Sequence, residues 1–475
     1  KGLQYVFISA VKDLYGSKSV VNVKHSLDKS IYIEIGIKRE VNPDVVLNIK
    51  KKMKELCARD IPFRKVSVDR EDAIEYVSTL GEDEKVLNYT YMTNDSVIMY
   101  ELDNDYNYFY YIMPPSTKYL KRFDLSYVDG GGIALSYPED NVVSKFSNIP
   151  KVLEAFKEYE SNLSNLGVHY VGELNKLLVD GKISDFIQAN EILYNQNVEN
   201  IARKAINDKK RAIFISGPSS SGKTTTSKKL AMYLKTYGKD VFVISTDDYY
   251  LEREETKKKP DGTYEFEAVE SLDVKLFNKQ IKDLLDGKEV SMPTFNFISG
   301  KKEYTKKPVT LSKNQIIVVE GLHAISEKLN HAIPRSQKLK VYISPFTPIR
   351  LDRHNHIPTT DVRLLRRMVR DYLTRGNSAE GTLTNWSSMR YSEKTYVYPH
   401  QREADMVVNT SLAYEIGVLK VYVEPLLYSV EADSSHYGEA RRLLNFLENF
   451  ATIPPTSVPP RSIIREFIGG SAFHY

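Results

Sequence analysis

Residues Gly217 to Thr224, with the sequence GPSSSGKT, restrict the fold of this chain more than any other stretch. They match the pattern G-x-x-x-x-G-K-[ST] at each fixed position. The run before them, 211–216, is short and mostly apolar, which is typical of a buried strand. The run after them, 225–234, has apolar residues at helical spacing. A strand, a glycine-rich turn and a helix in this order form the context in which the pattern binds phosphate.

This loop predicts contacts to phosphate oxygens from its backbone and its side chains. Two glycines let the chain turn tightly, so that successive N–H groups point inward, and the helix N-terminus adds partial positive charge. Lys223 can reach the outer phosphates, and the Thr224 hydroxyl can ligate Mg²⁺. We therefore predict a site for ATP and Mg²⁺. Its nucleotide-binding residues are Gly217, Ser219, Ser220, Ser221, Gly222, Lys223, Thr224 and Thr225.

Composition excludes several classes of protein. The chain has 475 residues, of which 41% are hydrophobic and 27% charged, as in ordinary globular proteins. Its formal net charge of +4 is too small to indicate a nucleic-acid partner. The single cysteine, Cys57, excludes an internal disulfide and a thiolate zinc cluster. No apolar run approaches ~18 residues, and the first residues lack the shape of a secretion signal. We expect a cytoplasmic protein without a membrane partner.

The order of patterns along the chain predicts four segments. Residues 1–140 combine helices with alternating runs, which indicates an α+β domain with an antiparallel sheet. Residues 141–208 have helical patterns and are predicted to form a helical connector. From 209 to 425 strands alternate with helices, which is typical of a parallel sheet covered by helices on both faces. Residues 426–475 are predicted to form a helical tail, to which we assign no function.

Segment 209–425 should bring the C-terminal ends of its strands to one edge, where ligands bind in open α/β sheets. Strands are predicted at 211–216, 240–245, 315–319, 338–343 and 405–409. Helices are predicted at 222–236, 272–286, 346–355, 361–375, 379–388 and 412–425.

Carboxylates follow two of these strands. Asp247 and Asp248 come directly after the strand at 240–245. A carboxylate there can accept a proton from an attacking hydroxyl and help to hold Mg²⁺ through water. The pattern leaves open which of the two is the base, since one of them could cap the next element. Glu320 ends the apolar run 316–319, and we predict that it reaches the same Mg²⁺ as Thr224.

Arginines recur at three- and four-residue spacing in the predicted helix 361–375, so that most of them share one helix face. They are Arg363, Arg366, Arg367 and Arg370. Guanidinium groups suit phosphate oxygens because their donor fork is planar and permanently charged. We interpret the helix as a mobile lid that stabilises charge during phosphoryl transfer. A solvated basic face with acidic partners is the alternative.

Taken together, these motifs make residues 209–425 similar to the uridine kinase and phosphoribulokinase family. The likeness extends over nearly half of the chain and implies an ATP- and Mg²⁺-dependent kinase. Besides the loop, the matching residues are Asp247–Tyr250, Glu267 with Asp273, the run Met292–Ser299, Val319–Gly321, Arg366–Asp371 with Arg375 and Gly376, and Ala404 with Asp405.

The resemblance also implies roles for individual residues. Asp247 would be the base acting on a nucleoside 5′-hydroxyl, with Lys223 as its catalytic companion on the phosphates. Tyr250 would line the sugar pocket. Three arginines would contact phosphates, and the first of them would also border the substrate. They are Arg367, Arg370 and Arg375.

The chain departs from the family at the acceptor pocket. Glu267 stands where uridine kinases have an Asp on the ribose hydroxyls. Phe295 and Gly300 stand where they have a Tyr and a His against the pyrimidine, and Asn377 replaces an Arg. A pocket without a substrate's partner groups cannot discriminate strongly by hydrogen bonds, so the preferred base stays open.

Residues 1–140 resemble the second N-terminal domain of threonyl-tRNA synthetase, which is shared with stand-alone alanyl-tRNA editing proteins. The likeness rests on the opening helix Val6–Tyr15, on the order of the following elements and on the segment 114–125. In that family an HxxxH pair and a Cys/His pair carry the chemistry. This chain has no His in the first helix and has Tyr110–Met113 at the later position. We therefore expect no editing activity and favour a packing role.

The leading hypothesis is a kinase that converts a nucleoside, uridine or cytidine, to its monophosphate, as in pyrimidine salvage. Within enzymes, a sugar or sugar-phosphate acceptor, as in phosphoribulokinase, is the alternative. From another class, the chain could be an ATP-sensing RNA-binding or regulatory protein, although its near-neutral charge weighs against this. The sequence leaves open whether the chain forms a homo-oligomer.

Overall fold

The computed structural model describes residues 1–27, 29–139, 141–258, 262, 264–296, 299–304, 307–347 and 349–474. Contacts divide the chain into two compact units. Unit 1 comprises Lys1–Gln188, Thr347–Val362 and Ala413–Ser457, and unit 2 comprises Ala189–Phe346, Arg363–Leu412 and Val458–Tyr475. This grouping does not test the four predicted segments 1–140, 141–208, 209–425 and 426–475, which stay a prediction.

Helices and strands are numbered here in chain order. The helices are α1 (Gly2–Tyr15), α2 (Pro43–Ala58), α3 (Arg70–Thr79), α4 (Asp83–Thr90), α5 (Pro150–Asn165), α6 (Val171–Val179), α7 (Ile183–Asn207), α8 (Lys223–Thr236), α9 (Val274–Leu285), α10 (Glu327–Asn330), α11 (Thr359–Arg375), α12 (Ala379–Tyr396), α13 (Glu415–Tyr428), α14 (Tyr437–Leu447) and α15 (Arg465–Ile468). The strands are β1 (Val20–Leu27), β2 (Ser30–Gly36), β3 (Arg64–Asp69), β4 (Ser96–Leu102), β5 (Asp105–Tyr108), β6 (Asp124–Val128), β7 (Gly132–Ser136), β8 (Pro138–Glu139), β9 (Val142–Val143), β10 (Ala212–Ser216), β11 (Asp240–Ser245), β12 (Pro293–Asn296), β13 (Lys301–Tyr304), β14 (Gln315–Glu320), β15 (Lys338–Ser344), β16 (Arg350–Asp352), β17 (Asn355–His356) and β18 (Met406–Asn409).

Unit 1 contains the predicted antiparallel sheet, in the order β1-β2-β7-β6, and a second sheet in the order β3-β4-β5. Its core collects apolar side chains from α1, α2 and the first sheet, among them Phe7, Ile33, Ile49 and Ile133, all fully buried. The helix starts follow from local capping. The side chain of Asn42 accepts a hydrogen bond from Val45 N–H at the start of α2 (3.0 Å), and the Asp69 side chain accepts one from Glu71 N–H at the start of α3.

Unit 2 is built on a parallel five-stranded sheet in the order β11-β14-β10-β15-β18. The five strands predicted in segment 209–425 are all present, and this fold class is confirmed. Strand β10 is buried along its whole length, which explains its mostly apolar sequence. Strand β15 is also fully buried, and its two lysines, Lys338 and Lys340, pair with Glu327. The register pairs Ile215 of β10 and Ser245 of β11 with Glu320 of β14, so these strands end together at one edge.

One predicted helix is wrong. Residues 346–355 have apolar side chains at helical spacing, but they contain β16 and the turn that leads to β17 in unit 1. The turn forms because the Asp352 carboxylate accepts hydrogen bonds from His354 N–H (2.7 Å) and from the Asn355 side chain (2.8 Å). Such a local side-chain turn competes with helix formation.

Other elements differ from the prediction in length or lie outside the described residues. The helix predicted at 379–388 continues to Tyr396, and the tail contains the helix α14. Phe297 and Ile298, within the run Met292–Ser299, are outside the described residues. Among the residues that the structure describes, no helix is long and apolar enough to cross a lipid bilayer.

Candidate active site

Gly217–Thr224 connects the end of β10 to the start of α8, as the motif requires. Two positions of this loop require glycine. A Cβ at Gly217 would lie 2.2 Å from the carbonyl oxygen of Ile343, which is a backbone atom and cannot yield. Gly222 has φ of +85°, in the left-handed region that favours glycine, and caps α8. The tight turn therefore brings the loop backbone to the N-terminus of the helix.

Unpaired donors surround the start of α8. Within the described part of the chain, four backbone N–H groups between positions 220 and 224 have no acceptor. They are those of Ser220, Gly222, Lys223 and Thr224. The hydroxyls of Ser220 and Ser221 are also buried there without a partner. Buried polar groups are normally paired, so this set of donors fits an anion such as a polyphosphate.

A buried ion pair holds the loop in place. Arg363 and Glu393 form two hydrogen bonds of 2.5 and 2.7 Å, and both side chains are almost fully buried. Glu393 also accepts the N–H of Ser219 at 2.8 Å, while Arg363 donates to the Ser219 carbonyl at 3.2 Å. Arg366 is equally buried and donates to the carbonyl of Ser220 at 3.3 Å.

The interpretation of the arginine helix as one lid is therefore wrong for Arg363 and Arg366. Both fix loop carbonyls from a buried position, because this part of α11 packs behind the loop. Arg367 is partly exposed and donates to the Ser219 hydroxyl at 2.9 Å. Arg370 is also partly exposed, and Arg375 is exposed. The lid interpretation stays a prediction for these three.

These three arginines share a single carboxylate. Asp371, which is 1% exposed, contacts Arg367 at 3.1 Å, Arg370 at 2.8 Å and Arg375 at 3.4 Å. Three positive charges on one negative charge leave a formal excess of two. Guanidinium groups with spare donors are suited to phosphate oxygens. This cluster can thus stabilise negative charge beside the loop.

Carboxylates gather at the edge of the sheet, as predicted. Glu320 is the last residue of β14, and Asp247 lies in the turn that follows β11. The turn begins where the Ser245 hydroxyl accepts the N–H of Asp247 at 3.3 Å. Gly321 is needed for this approach, because a Cβ there would lie 1.7 Å from the Thr246 hydroxyl oxygen.

The ionisation of these groups is coupled. Burial, reinforced by the charge of Asp247, raises the pKa of Glu320 to about 7. Asp247 keeps contact with solvent, yet protein atoms crowd around it, and this desolvation raises its pKa against the opposing charges of Lys223 and Arg375. Burial likewise lowers the pKa of Lys223, against the charges of Glu320 and Asp247. The three groups therefore lie within electrostatic reach of one another.

The donor set fits Mg²⁺. Mg²⁺ prefers one or two carboxylates, with the remaining ligands coming from substrate phosphates and water. Thr224 and Glu320, with Asp247 nearby, supply such a set, and a cation would favour the charged form of Glu320, which burial and the charge of Asp247 disfavour. Among the described residues, no cluster of three or more His, Cys, Asp or Glu side chains could hold a metal by itself. The site would thus hold the ion together with phosphates.

The second aspartate of the turn has a different environment. Burial raises the pKa of Asp248. A hydrogen bond that Asp248 accepts from the backbone N–H of Phe295 opposes this shift. This bond ties the turn to β12. Asp247, unlike Asp248, interacts electrostatically with Lys223 and Arg375.

Aromatic rings line the region beyond Asp247. Tyr250 lies 5.6 Å from the ring of Phe295 and 6.5 Å from that of Phe266, measured between centroids. Burial raises the pKa of the Tyr250 hydroxyl, and the charges of Asp247 and Glu267 raise it further. Both carboxylates therefore lie within electrostatic reach of this hydroxyl. This part of unit 2 therefore combines flat apolar surfaces with acidic groups.

Sequence reasoning missed three residues of this region. Glu393 lies beyond the predicted end of its helix, and Glu466 lies in the tail, where it accepts hydrogen bonds from Thr225. Arg253 covers Gly300, so that its Cβ and Nε would lie 3.1 Å from a Cβ at that position. Charged residues far from the motif give no sequence signal of such contacts, because only the tertiary fold brings them to the loop.

Comparison with known proteins places this domain. Residues 212–416 match the sequence model of the phosphoribulokinase / uridine kinase family. The uridine kinase of Borrelia garinii subsp. bavariensis is 29% identical over 205 residues, which cover 42% of this chain and 85% of that protein. Uridine-cytidine kinase B of Dictyostelium discoideum is 24% identical over 197 residues, which cover 41% and 73%.

A solved structure described as a possible uridine kinase from Bacillus stearothermophilus is 21% identical, with a TM-score of 0.31. It covers 45% of this chain and 98% of that chain. The family match does not reach residues 1–140, whose resemblance to a synthetase domain stays a prediction. Residues 212–416 are thus a P-loop kinase domain of the phosphoribulokinase and uridine kinase family, with phosphotransferase activity.

Proposed function

We propose that the protein transfers the terminal phosphoryl group of ATP to the 5′-hydroxyl of a nucleoside, uridine or cytidine, with Mg²⁺ as cofactor. One observation carries the proposal. Glu320 and the turn with Asp247 lie at the C-terminal end of the parallel sheet, next to a loop with unpaired N–H groups whose Lys223 acts electrostatically on both carboxylates. Lys223 and the loop suit the phosphates of the donor, Glu320 suits a metal ion, and Asp247 suits the hydroxyl of the acceptor.

Each residue has a defined part in this chemistry. The loop N–H groups and Lys223 bind the phosphates, and Mg²⁺ held at Thr224 and Glu320 would neutralise their charge. Asp247 accepts the proton of the acceptor hydroxyl as the new oxygen–phosphorus bond forms and ADP departs. Arg367 and Arg370 stabilise the charge on the transferred group. Positioning and electrostatics supply the rate, since phosphoryl transfer needs no covalent intermediate on the protein.

The acceptor side favours a nucleoside over a sugar phosphate. A base is flat and can lie against Tyr250 and Phe295, whereas a second phosphate would meet the carboxylates near Tyr250. The names of the two relatives, uridine kinase and uridine-cytidine kinase B, point to the same acceptors. Glu267 is proposed to receive the ribose hydroxyls, because carboxylates accept hydrogen bonds from sugar hydroxyls.

A screen for acceptor-dependent ADP release tests the proposal. The acceptors are uridine, cytidine, adenosine, guanosine, ribose 5-phosphate and ribulose 5-phosphate, each with ATP and Mg²⁺. We expect turnover with uridine or cytidine and none with Lys223→Met. Turnover only with a sugar phosphate would favour the phosphoribulokinase-like alternative. ATP binding without turnover on any acceptor would overturn the proposal and favour an ATP sensor.

A further inference from the structure

The C-terminal stretch of unit 2 packs against the phosphate loop. Ile463, which is fully buried, contacts Gly222 so closely that a Cβ on the glycine would lie 2.2 Å from its Cδ1 atom. The ring of Phe467, also fully buried, lies 5.0 Å from the Arg366 guanidinium, which itself bonds to the loop. These contacts pack residues 462–468 against the loop.

Within this stretch, Glu466 occupies a donor pair of the phosphate-binding helix. Its carboxylate accepts the N–H of Thr225 at 3.2 Å and the Thr225 hydroxyl at 2.5 Å. Thr225 is in the first turn of α8, where N–H groups attract anions. Glu466 is the only acidic residue between positions 458 and 474, so the contact is not part of a general acidic surface.

Glu466 is therefore a negative charge inside a site built for negative charge. It is one of the charges that oppose the effect of burial on the pKa of Lys223, which places it within reach of the catalytic lysine. The hydroxyls of Ser220 and Ser221, buried without partners, show that the same loop still has donors to offer. A nucleotide that reaches Thr225 must take over the donors that Glu466 now holds.

We propose that Glu466 is a further nucleotide-site residue, whose carboxylate yields the Thr225 donors to an inner phosphate of the nucleotide and thereby lowers nucleotide affinity. The proposal rests on ATP binding to this loop, as proposed above. Only the side chain needs to move, because Ile463, Ile464 and Phe467 are buried and anchor the backbone. Glu466 should thus stabilise the free protein and oppose the bound state.

The variant Glu466→Gln separates these effects, since it keeps the shape and one acceptor oxygen but loses the charge. We expect it to bind ADP and ATP about five- to tenfold more tightly than the wild type, as expected for removing one competing charge at a helix N-terminus. The gain should shrink at high salt. Without nucleotide, the variant should unfold at a lower temperature, because the helix loses a charged cap.

Calorimetric titration of the full chain with ADP gives the test, with Asp208→Asn as the charge-matched control. Asp208 pairs with Lys204 on the surface of unit 2 and should leave ADP affinity within about twofold. Tighter binding by Glu466→Gln alone, with a lower unfolding temperature, supports the proposal. Equal or weaker binding than in the wild type overturns it. If no variant and no wild type binds ADP, the proposed function fails instead.

Discussion

Glu393 holds the phosphate loop through a buried ion pair, and its removal has a large expected cost. Glu393 is 2% exposed and Arg363 is not exposed at all. In Glu393→Ala the guanidinium stays buried without its carboxylate, and Ser219 N–H loses its acceptor. Removing one partner of a buried pair costs about 3–5 kcal/mol, because a charge is left uncompensated.

This cost can be converted into a change of unfolding temperature. For units of about 150–250 residues, 1 kcal/mol corresponds to roughly 2–4 °C, so about 4 kcal/mol gives a fall of roughly 8–16 °C. Scanning calorimetry of the full chain, with and without ADP, identifies the transition of the nucleotide-binding unit. The surface variant Asp208→Ala is the control and should change it by less than about 2 °C.

A double variant separates charge burial from loop positioning. Arg363→Met with Glu393→Leu fills the same space with apolar groups, and such replacements of buried pairs often restore stability. We expect its unfolding temperature to return close to that of the wild type. Nucleotide binding should stay weak, because Ser219 has lost its hydrogen bonds to Glu393 and Arg363. If Glu393→Ala unfolded within about 2 °C of the wild type, the reasoning about the buried pair would be refuted.

Three further predictions concern Glu320 and Gly321 at the edge of the sheet. Because the pKa of Glu320 is raised to about 7, its charged form is lost as the pH falls through that value, so Mg²⁺ affinity should drop below pH 7 and this step should vanish in Glu320→Gln. The same raised pKa means that Glu320 stabilises the metal-free protein at low pH and ceases to do so as the pH rises through about 7, which calorimetry at pH 5.5 and 8 can measure. Gly321→Ala should lose about 1–3 kcal/mol of stability through its overlap with Thr246. Gly438→Ala, which has open space around it in α14, should not destabilise the protein. Equal unfolding temperatures of the two variants would contradict the crowding at Gly321.

The parallel sheet could be predicted because its central strands β10 and β14 are apolar and buried over most or all of their length. Such apolar runs, separated by helical patterns, identify where the strands lie along the chain but not their order in the sheet. The glycine motif predicted the loop between β10 and α8, and the strand ends predicted where Glu320 and Asp247 lie. The roles of these residues stay a prediction. In contrast, the prediction of a helix at 346–355 was wrong. The Asp352 side chain forms a turn there, and the spacing of apolar residues does not reveal such a turn.

The environment of charged residues was the part that could not be predicted. Arg363 and Arg367 have the same spacing pattern, yet one is buried against Glu393 and the other faces the loop hydroxyl of Ser219. A sequence indicates which residues share a helix face but not what packs against that face. The contact of Glu466 with Thr225 joins positions 241 residues apart, and only the tertiary fold produces it.

The proton-accepting role of Asp247 is the central claim, and one measurement tests it most directly. Single-turnover phosphoryl transfer is followed in Asp247→Asn, with Asp248→Asn as the matched neighbour, on the acceptor that the screen selects. General base catalysis is worth about 10²–10⁴-fold, so Asp247→Asn should lose at least about 100-fold in rate while ADP affinity stays within about twofold. Asp248→Asn should lose far less rate. Transfer by Asp247→Asn within about threefold of the wild type would contradict the account.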